Sequence, residues 1–395
     1  MEWEVFEIEG ISRCAKIEKG RLKVLEEWRE RKVGVRVIEN GRVGFVTANC
    51  FTEDLIEKAK KIAKVSEEKL DRFPEGEYVK VEGIYDKRVE RVTSDEIKEF
   101  VDSMVNSALN YDVNPSNGMV EFSIETVKLR NSFGADLEYK STYCQAYLEC
   151  VCDGSSGFEI DESRGLVDFE FVGKRSAELA VESRNPEKIE GVYNLVLSPI
   201  AVHQLLEFTL YPAISLENVL KGRSPLTEIG KNYLGKLSIV DDGTLPYGLC
   251  TAPFDDEGVG VREKVIFDEG VLKSYITDFR HSLVAKVEPT GNGFRGDDLY
   301  PTTSPTNVIL EFDEVEKELE GVYVHSLIGA HTSNPVSGDF SLETMNAFLN
   351  GKPVRAMIYG NIYDLLKKIT AFGKDVRQIE NTITPSIEFE SVKFV

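Results

Sequence analysis

Residues 195–208 read LVLSPIAVHQLLEF, and this stretch decides the fold of the second half of the chain. An apolar strand ends near Ser198, and Pro199 follows at a position where its missing backbone N–H costs a helix nothing. The pattern therefore predicts a strand followed by a helix, with His203 in the opening turns of that helix. Zinc proteases hold their metal with helix histidines and place a glutamate beside the first one, so this helix is the first place to look for a metal centre.

The residues before this stretch predict an α+β arrangement. Val33 to Ala48 is apolar on both sides of Asn40-Gly41, which is the best dipeptide for a tight hairpin turn. Thr93 and Glu96 have the spacing of a capping box at a helix start. The other predicted elements are a helix over 53–64, a helix from Thr93 to about 110, an antiparallel meander over 119–171, a helix over 174–182 and a linker over 183–188.

We predict two domains, because 395 residues exceed the usual size of one compact core. The first is an N-terminal α+β domain over residues 1–188. The second, over residues 189–395, is mainly antiparallel β, with a barrel-like sheet on which the His203 helix packs. Pro212 is expected to end that helix, and further helices are predicted over 216–221 and 362–369.

Composition narrows the class of protein. The chain has 47 basic and 68 acidic residues, a formal net charge of −21, and its basic residues form no concentrated patch, so direct binding to nucleic acid is not expected. No apolar run approaches the roughly 18 residues that a membrane span needs, and the N-terminus is acidic where a secretory signal is basic. We therefore expect a cytoplasmic protein. Its six cysteines predict buried thiols in a reducing compartment, with a metal or redox role as the alternative.

Several segments of the second half resemble the TldD/PmbA family. They occur in order and cover nearly all of that half: 241–246 (DDGTLP), 254–259 (FDDEGV), 270–275 (GVLKSY), 290–293 (TGNG), 329–341 (GAHTSNPVSGDFS) and 360–366 (GNIYDLL).

This resemblance implies a peptidase system of two related subunits. The TldD-like subunit carries a zinc motif H-E-x-x-x-H and a cysteine ligand near its C-terminus, while the TldE (PmbA)-like subunit lacks the motif and pairs with it. Peptides or unfolded segments are the substrates that the resemblance implies, and the family also has a label as a modulator of DNA gyrase. On this chain the motif falls on His203, Gln204 and Phe208.

The residues at these positions do not support zinc chemistry. Gln204 has no carboxylate to act as a general base, and Phe208 offers zinc no lone pair. Cys250 is the last cysteine, which leaves no thiolate near the C-terminus. We therefore predict a pseudoenzyme with no catalytic residues and no cofactor of its own, resembling the TldE (PmbA)-like subunit. Its expected partner is a TldD-like subunit that carries the zinc, or a second copy of itself.

Two other functions stay open. The chain could be a stand-alone homodimer that binds peptides or regulates, or a metal hydrolase that uses His203 and Glu207, which lie four apart and share one helix face, with His325 or His331 as a third ligand.

Three loops have alternative interpretations. His331, Asn334 and Asp339 either line a peptide groove or subunit interface, or belong to a tight turn. The segment 255–258 predicts an exposed acidic turn, with cation binding as the alternative. The segment 290–293 weakly suggests a phosphate loop.

Overall fold

The computed structural model describes residues 2–316 and 318–395, and its N-terminal half is built on one antiparallel sheet of six strands. The strands are β1 (Glu2–Glu18), β2 (Arg21–Glu39), β3 (Arg42–Ala48), β4 (Asn114–Asn131), β5 (Asp136–Cys152) and β6 (Ser155–Ser163), in the spatial order β3-β2-β1-β4-β5-β6. The helices are α1 (Asp54–Ala63), α2 (Lys87–Arg91), α3 (Ser94–Leu109) and α4 (Phe169–Glu182). Helix α1 packs on β2 and β3, and α3 and α4 pack on each other and on the rest of the sheet.

Local sequence signals explain several of these elements. Asn40 (φ 52°) and Gly41 (φ 72°) form the two-residue turn between β2 and β3, which confirms the predicted hairpin. The Thr93 hydroxyl accepts from the Glu96 N–H and the Glu96 carboxylate accepts from the Thr93 N–H, which confirms the capping box. Helix α4 begins at Phe169, five residues earlier than predicted, because the Asp168 carboxylate caps it by accepting from the Phe171 N–H at 2.9 Å.

The C-terminal half contains sixteen strands and four helices among the described residues. The strands are β7 (Glu187–Lys188), β8 (Gly191–Leu197), β9 (Ser238–Asp242), β10 (Glu263–Asp268), β11 (Val271–Leu272), β12 (Gly293–Arg295), β13 (Pro301–Thr303), β14 (Val308–Glu311), β15 (Val322–Ile328), β16 (Asp339–Leu349), β17 (Lys352–Arg355), β18 (Met357–Asn361), β19 (Ile369–Phe372), β20 (Arg377–Ile379), β21 (Thr382–Thr384) and β22 (Ile387–Phe394). The helices are α5 (Pro199–Thr209), α6 (Leu216–Leu220), α7 (Phe279–Ala285) and α8 (Ile362–Leu366).

Five of these strands close into a barrel. They follow the order β15-β8-β22-β18-β16, and β16 pairs with β15 to complete the circle. Strands β8 and β15 pair in parallel, and the other barrel pairings are antiparallel. A second sheet has the order β11-β10-β9-β14-β21-β20. Helix α5 packs between the two sheets, against β8 and β15 on one side and β20 and β21 on the other. The α+β class and the barrel with its packed helix are thus confirmed.

The division into domains at residue 188 stays a prediction. The N-terminal sheet uses residues 2–163, and the strand β7 within the predicted linker pairs in parallel with β17 of the C-terminal half. Sequence reasoning missed β1 and the first part of β2, because the charged run 26–32 does not alternate between apolar and polar residues as a half-buried strand does. In the structure this run is largely exposed and pairs with β1, whose other edge pairs with β4.

The cysteines of β5 are buried, as predicted, whereas Cys50 is exposed, so the prediction of a buried thiol is wrong at that position. Cys144, Cys150 and Cys152 share one face of the strand, and burial raises the pKa of the Cys144 thiol to about 12 and of the Cys150 thiol to about 11. These thiols are therefore protonated near neutral pH and behave as small apolar groups. None of the helices within the described ranges has both the length and the apolar character to span a membrane.

Candidate functional site

Helix α5 is fixed at its start as the sequence predicts. Pro199 is the first helical residue, and the Ser198 hydroxyl accepts from the Ala201 N–H at 3.2 Å. The same hydroxyl donates to the carbonyl of His325 at 2.5 Å, which ties the helix start to β15. The helix ends at Thr209, three residues before Pro212. Its position on the barrel is therefore set by a cap, a proline and an apolar face.

His203 is buried, with 4% of its surface exposed, and contacts two carboxylates. Its Nδ1 lies 2.9 Å from the Thr382 hydroxyl, while its Nε2 lies 3.7 Å from Oε2 of Glu207 and 3.5 Å from Oε2 of Glu380. The contact with His203 lowers the pKa of Glu380, whereas burial raises the pKa of Glu207. We call His203, Glu207 and Glu380 the His203 cluster.

Sequence reasoning found two members of this cluster and missed Glu380. Glu380 lies in the tight turn between β20 and β21, with φ 48°, and its backbone N–H donates to the Glu162 carboxylate of β6 at 2.9 Å. The cluster therefore lies where the two halves of the chain meet. No short-range pattern marks Glu380, because it is one of 68 acidic residues and only the fold brings it to α5.

The residues at the other motif positions serve the structure. The side-chain oxygen of Gln204 accepts from the Leu327 N–H of β15 at 2.7 Å. Phe208 packs against the large apolar core of the C-terminal half. Burial raises the pKa of the Cys250 thiol to about 12, far from the thiolate form that binds metal. A zinc site that needs a glutamate base, a second histidine and a thiolate therefore does not fit the residues present.

The alternative metal pair remains a prediction. His203 and Glu207 do lie on one helix face, but neither His325 nor His331 completes a tight group of ligands with them. His325 is buried, and its Nε2 lies 2.9 Å from the carbonyl of Phe158. Among the described residues, the group of three whose ligand atoms all lie within 4.8 Å of one another is Glu217, Asp278 and His281, on α6 and α7. The Asp278 carboxylate there caps α7 and contacts Nδ1 of His281 at 2.6 Å.

The loop from 329 to 339 brings Asn334 and Asp339 into one turn, where the Asn334 N–H donates to the Asp339 carbonyl at 2.8 Å, and places His331 elsewhere. Asn334 accepts from the N–H groups of Val336 and Ser337 at 2.9 and 3.1 Å, and Asp339 accepts from the Ser337 hydroxyl at 2.6 Å. These are the contacts of a tight turn. His331 is exposed and lines a different space, a cavity beside Phe208. The role of all three residues in binding stays a prediction.

The expectation of an exposed acidic turn at 255–258 is wrong. Asp255, Asp256 and Glu257 are all buried, because the N-terminal half supplies a cation for Glu257 while backbone N–H groups donate to the two aspartates. Arg36 of β2 donates to Glu257 at 2.8 Å and binds both oxygens of Glu4 at 2.8 and 2.9 Å. We call the four ion-paired residues of this network the arginine cluster: Glu4, Arg36, Glu257 and Arg295.

The segment 290–293 also has a structural role. Asn292 is fully buried, donates to the Asp241 carboxylate at 2.9 Å and accepts from Nζ of Lys264 at 3.0 Å. Lys264 and Asp241 form a buried ion pair at 2.7 Å. The asparagine thus completes a charge pair, and its side chain is not free to hold a phosphate.

Comparison with known proteins places this geometry in a family. The family model described as the PmbA/TldA metallopeptidase C-terminal domain matches residues 190–395, the central-domain model matches 87–184, and the domain 1 model matches 3–63. An uncharacterized protein of Methanocaldococcus jannaschii is 36% identical over 370 residues, which cover 91% of this chain and 88% of that protein.

Solved structures agree with the family models. The crystal structure of TldE from Thermococcus kodakarensis superposes with a TM-score of 0.92 and 25% identity, covering 100% of this chain and 96% of that one. A structure from Thermotoga maritima, described as a candidate modulator of a DNA gyrase, gives a TM-score of 0.90 and 28% identity, with coverage of 100% and 96%. The family models together span both halves of the fold. The chain therefore belongs to the PmbA/TldD metallopeptidase family.

Proposed function

We propose that this chain is a non-catalytic, TldE/PmbA-like subunit of a two-subunit zinc metalloprotease that acts on peptides or unfolded segments. The observation that carries the proposal is the use of the motif positions on α5. Gln204 gives its side-chain oxygen to the Leu327 N–H at 2.7 Å, and Phe208 packs against the core. A helix that uses these positions for folding has neither the base nor the second imidazole that a zinc-bound water requires.

The similarity to TldE of Thermococcus kodakarensis supports the same assignment. In this proposal a TldD-like partner supplies the zinc, and the present chain shapes the space in which peptides are cut. We expect the complex to act in the cytoplasm. We expect no direct contact with nucleic acid, because the net charge of −21 repels a phosphate backbone.

The test is a purification of the tagged chain at native expression levels, followed by elemental analysis and a peptidase assay. The expected result is co-purification with a zinc-bearing relative, no stoichiometric zinc in the isolated chain, and peptide cleavage only when both subunits are present. Chelator-sensitive cleavage by the isolated chain would contradict the proposal. Recovery only as a homodimer would instead favour a stand-alone peptide-binding or regulatory protein.

A metal hydrolase that uses His203 and Glu207 is the second candidate. The presence of Glu380 on the same side of His203 favours it, because a second carboxylate, and so a third potential ligand, lies near the imidazole. Elemental analysis of the wild-type chain beside His203→Ala tests it directly. This hypothesis expects metal in the wild type and its loss in the variant, and equal metal content in the two proteins would remove it.

A further inference from the structure

The cavity beside the end of α5 differs from the other cavities of the molecule in the charge of its walls. It has a volume of about 540 Å³ and is lined by Phe208, Asn218, Arg223, His331, Ser333 and Pro335, among others. No carboxylate lines it. Each of four other cavities in the described chain includes at least one carboxylate side chain, as expected in a protein with 68 acidic residues. We call this space the α5 pocket.

Three polar side chains of the α5 pocket have no partner among the described residues, whereas the fourth, Asn218, donates to the carbonyl of Pro212 at 2.8 Å. Within residues 2–316 and 318–395, the side chains of Arg223 and His331 make no hydrogen bond and no ion pair, and both residues are exposed. The Ser333 hydroxyl is one of six buried side-chain groups that have no hydrogen-bond partner in the same part of the chain, and Ser333 is 8% exposed. A buried hydroxyl without a partner is uncommon in a native fold and calls for an explanation, such as a ligand.

The walls between these groups are apolar. Phe208, Pro212, Pro335 and Val336 all line the space. An arginine and a buried hydroxyl next to an apolar surface suit a carboxylate that is attached to an apolar group, because the guanidinium binds a carboxylate through two parallel hydrogen bonds. A peptide that ends in an apolar residue with a free α-carboxylate combines both features.

We propose that the α5 pocket binds the C-terminal carboxylate and last apolar side chain of a peptide. This inference rests on the proposed function, because it assigns a subsite for the peptides that the complex handles. The pocket is distinct from the His203 cluster. Phe208 and His203 are five residues apart, about 140° around a regular helix, so they leave α5 in different directions.

The experiment measures fluorescence anisotropy of labelled octapeptides of uncharged sequence on the purified, full-length chain. One peptide ends in leucine with a free carboxylate, the second ends in leucine amide, and the third ends in leucine amide but carries one internal glutamate. We expect the free carboxylate to bind about tenfold more tightly than either amide, because it alone presents a carboxylate beside the last apolar side chain. Binding needs no zinc and no partner subunit, so this result is independent of whether the chain proves catalytic.

Matched variants locate the binding. Arg223→Gln should abolish the preference for the free carboxylate, whereas Arg355→Gln, which removes one exposed and unpaired arginine of β17 among the described residues, should leave it unchanged. Ser333→Ala should weaken binding a few-fold without loss of thermal stability, because its hydroxyl has no partner to lose. Three results would each overturn the inference. The free-carboxylate peptide could bind no more tightly than the amide, or no more tightly than the amide that carries an internal glutamate. The preference for the free carboxylate could also persist in Arg223→Gln.

Discussion

The arginine cluster and the His203 cluster both place charged side chains where the two halves of the chain meet, but they are built in opposite ways. In the arginine cluster every side chain is at most 3% exposed, and the guanidinium of Arg36 lies 2.8–2.9 Å from its carboxylate partners. In the His203 cluster the imidazole is 4% exposed, while the side chains of Glu207 and Glu380 are 40% and 60% exposed and lie 3.7 and 3.5 Å away.

This difference separates a structural cluster from one that is open to other contacts. Burial raises the pKa of Glu4, but the charges of Arg36 and Arg295 outweigh burial and lower it, so that carboxylate stays ionised and paired. The two arginines and two glutamates of the arginine cluster balance in charge, and all four side chains are buried away from solvent. The carboxylates of the His203 cluster reach solvent and exchange partners at low cost. Burial and the number of opposite charges, rather than residue type, distinguish the two.

The largest expected effect tests the structural role of the arginine cluster. Arg36→Leu leaves Glu4 and Glu257 buried without their shared cation, and we expect the free energy of unfolding to fall by about 3–5 kcal/mol. Urea denaturation followed by circular dichroism measures it. The control is Arg31→Leu, which removes an arginine that is 52% exposed and pairs with Glu7, and it should cost less than about 1 kcal/mol. Similar losses in the two variants would show that burial does not distinguish these ion pairs.

The second prediction concerns pH and the carboxyl next to this cluster. Burial raises the pKa of Asp256 to about 7, although the Arg295 N–H donates to its carboxylate at 2.8 Å and the Arg295 charge opposes the shift. Glu125 and Glu257 also act on it and raise its pKa further. In the unfolded chain an aspartate titrates near 3.9, so the folded state holds a proton between about pH 4 and 7 that the unfolded state has lost.

The stabilising contribution of Asp256 is therefore complete below about pH 4 and declines as pH rises to about 7. In Asp256→Asn this decline is absent, so the variant should gain stability relative to the wild type across that range, by up to about 1.4 kcal/mol per pH unit. Urea denaturation of both proteins at pH 4, 5.5 and 7 measures the difference. A difference that does not change with pH would mean that Asp256 stays ionised in the folded protein.

The sequence predicts the parts of this molecule that depend on neighbours along the chain. Ser198-Pro199, Asn40-Gly41 and the Thr93–Glu96 box each act over a few residues, so their geometry follows from local rules. Glu257 and Arg36 are 221 positions apart, and no local sequence pattern near either residue predicts that they pair. The sequence therefore predicts an exposed turn at 255–258, although the structure buries its three acidic residues. The contact between Glu380 and His203 cannot be predicted for the same reason, because only the folded arrangement of the sheets brings the two residues together.

A smaller effect tests whether position 204 serves the fold. Gln204→Ala removes the acceptor of the Leu327 N–H, and we expect a loss of about 1–3 kcal/mol in the free energy of unfolding, because a mostly buried N–H is left without a partner. Gln204→Glu keeps an oxygen acceptor and should cost less than the alanine variant. Thermal and urea denaturation compare the two. If alanine and glutamate at this position are equally stable, the contact with Leu327 contributes little and the structural interpretation of the motif helix weakens.

The smallest change in the free energy of unfolding is expected in the His203 cluster. Glu207→Gln removes one carboxylate near Nε2 of His203 and should change the free energy of unfolding by less than about 1 kcal/mol, because the glutamate is 40% exposed and the contact is 3.7 Å long. The metal content should also be the same as in the wild type. If His203 and Glu207 hold a metal, the same variant would instead lose that ion and the stability that comes with it, since binding to the folded state alone stabilises it. One substitution thus distinguishes a weak polar contact from a metal site. A large loss of metal and of unfolding free energy in Glu207→Gln would show that the His203 cluster binds a metal ion.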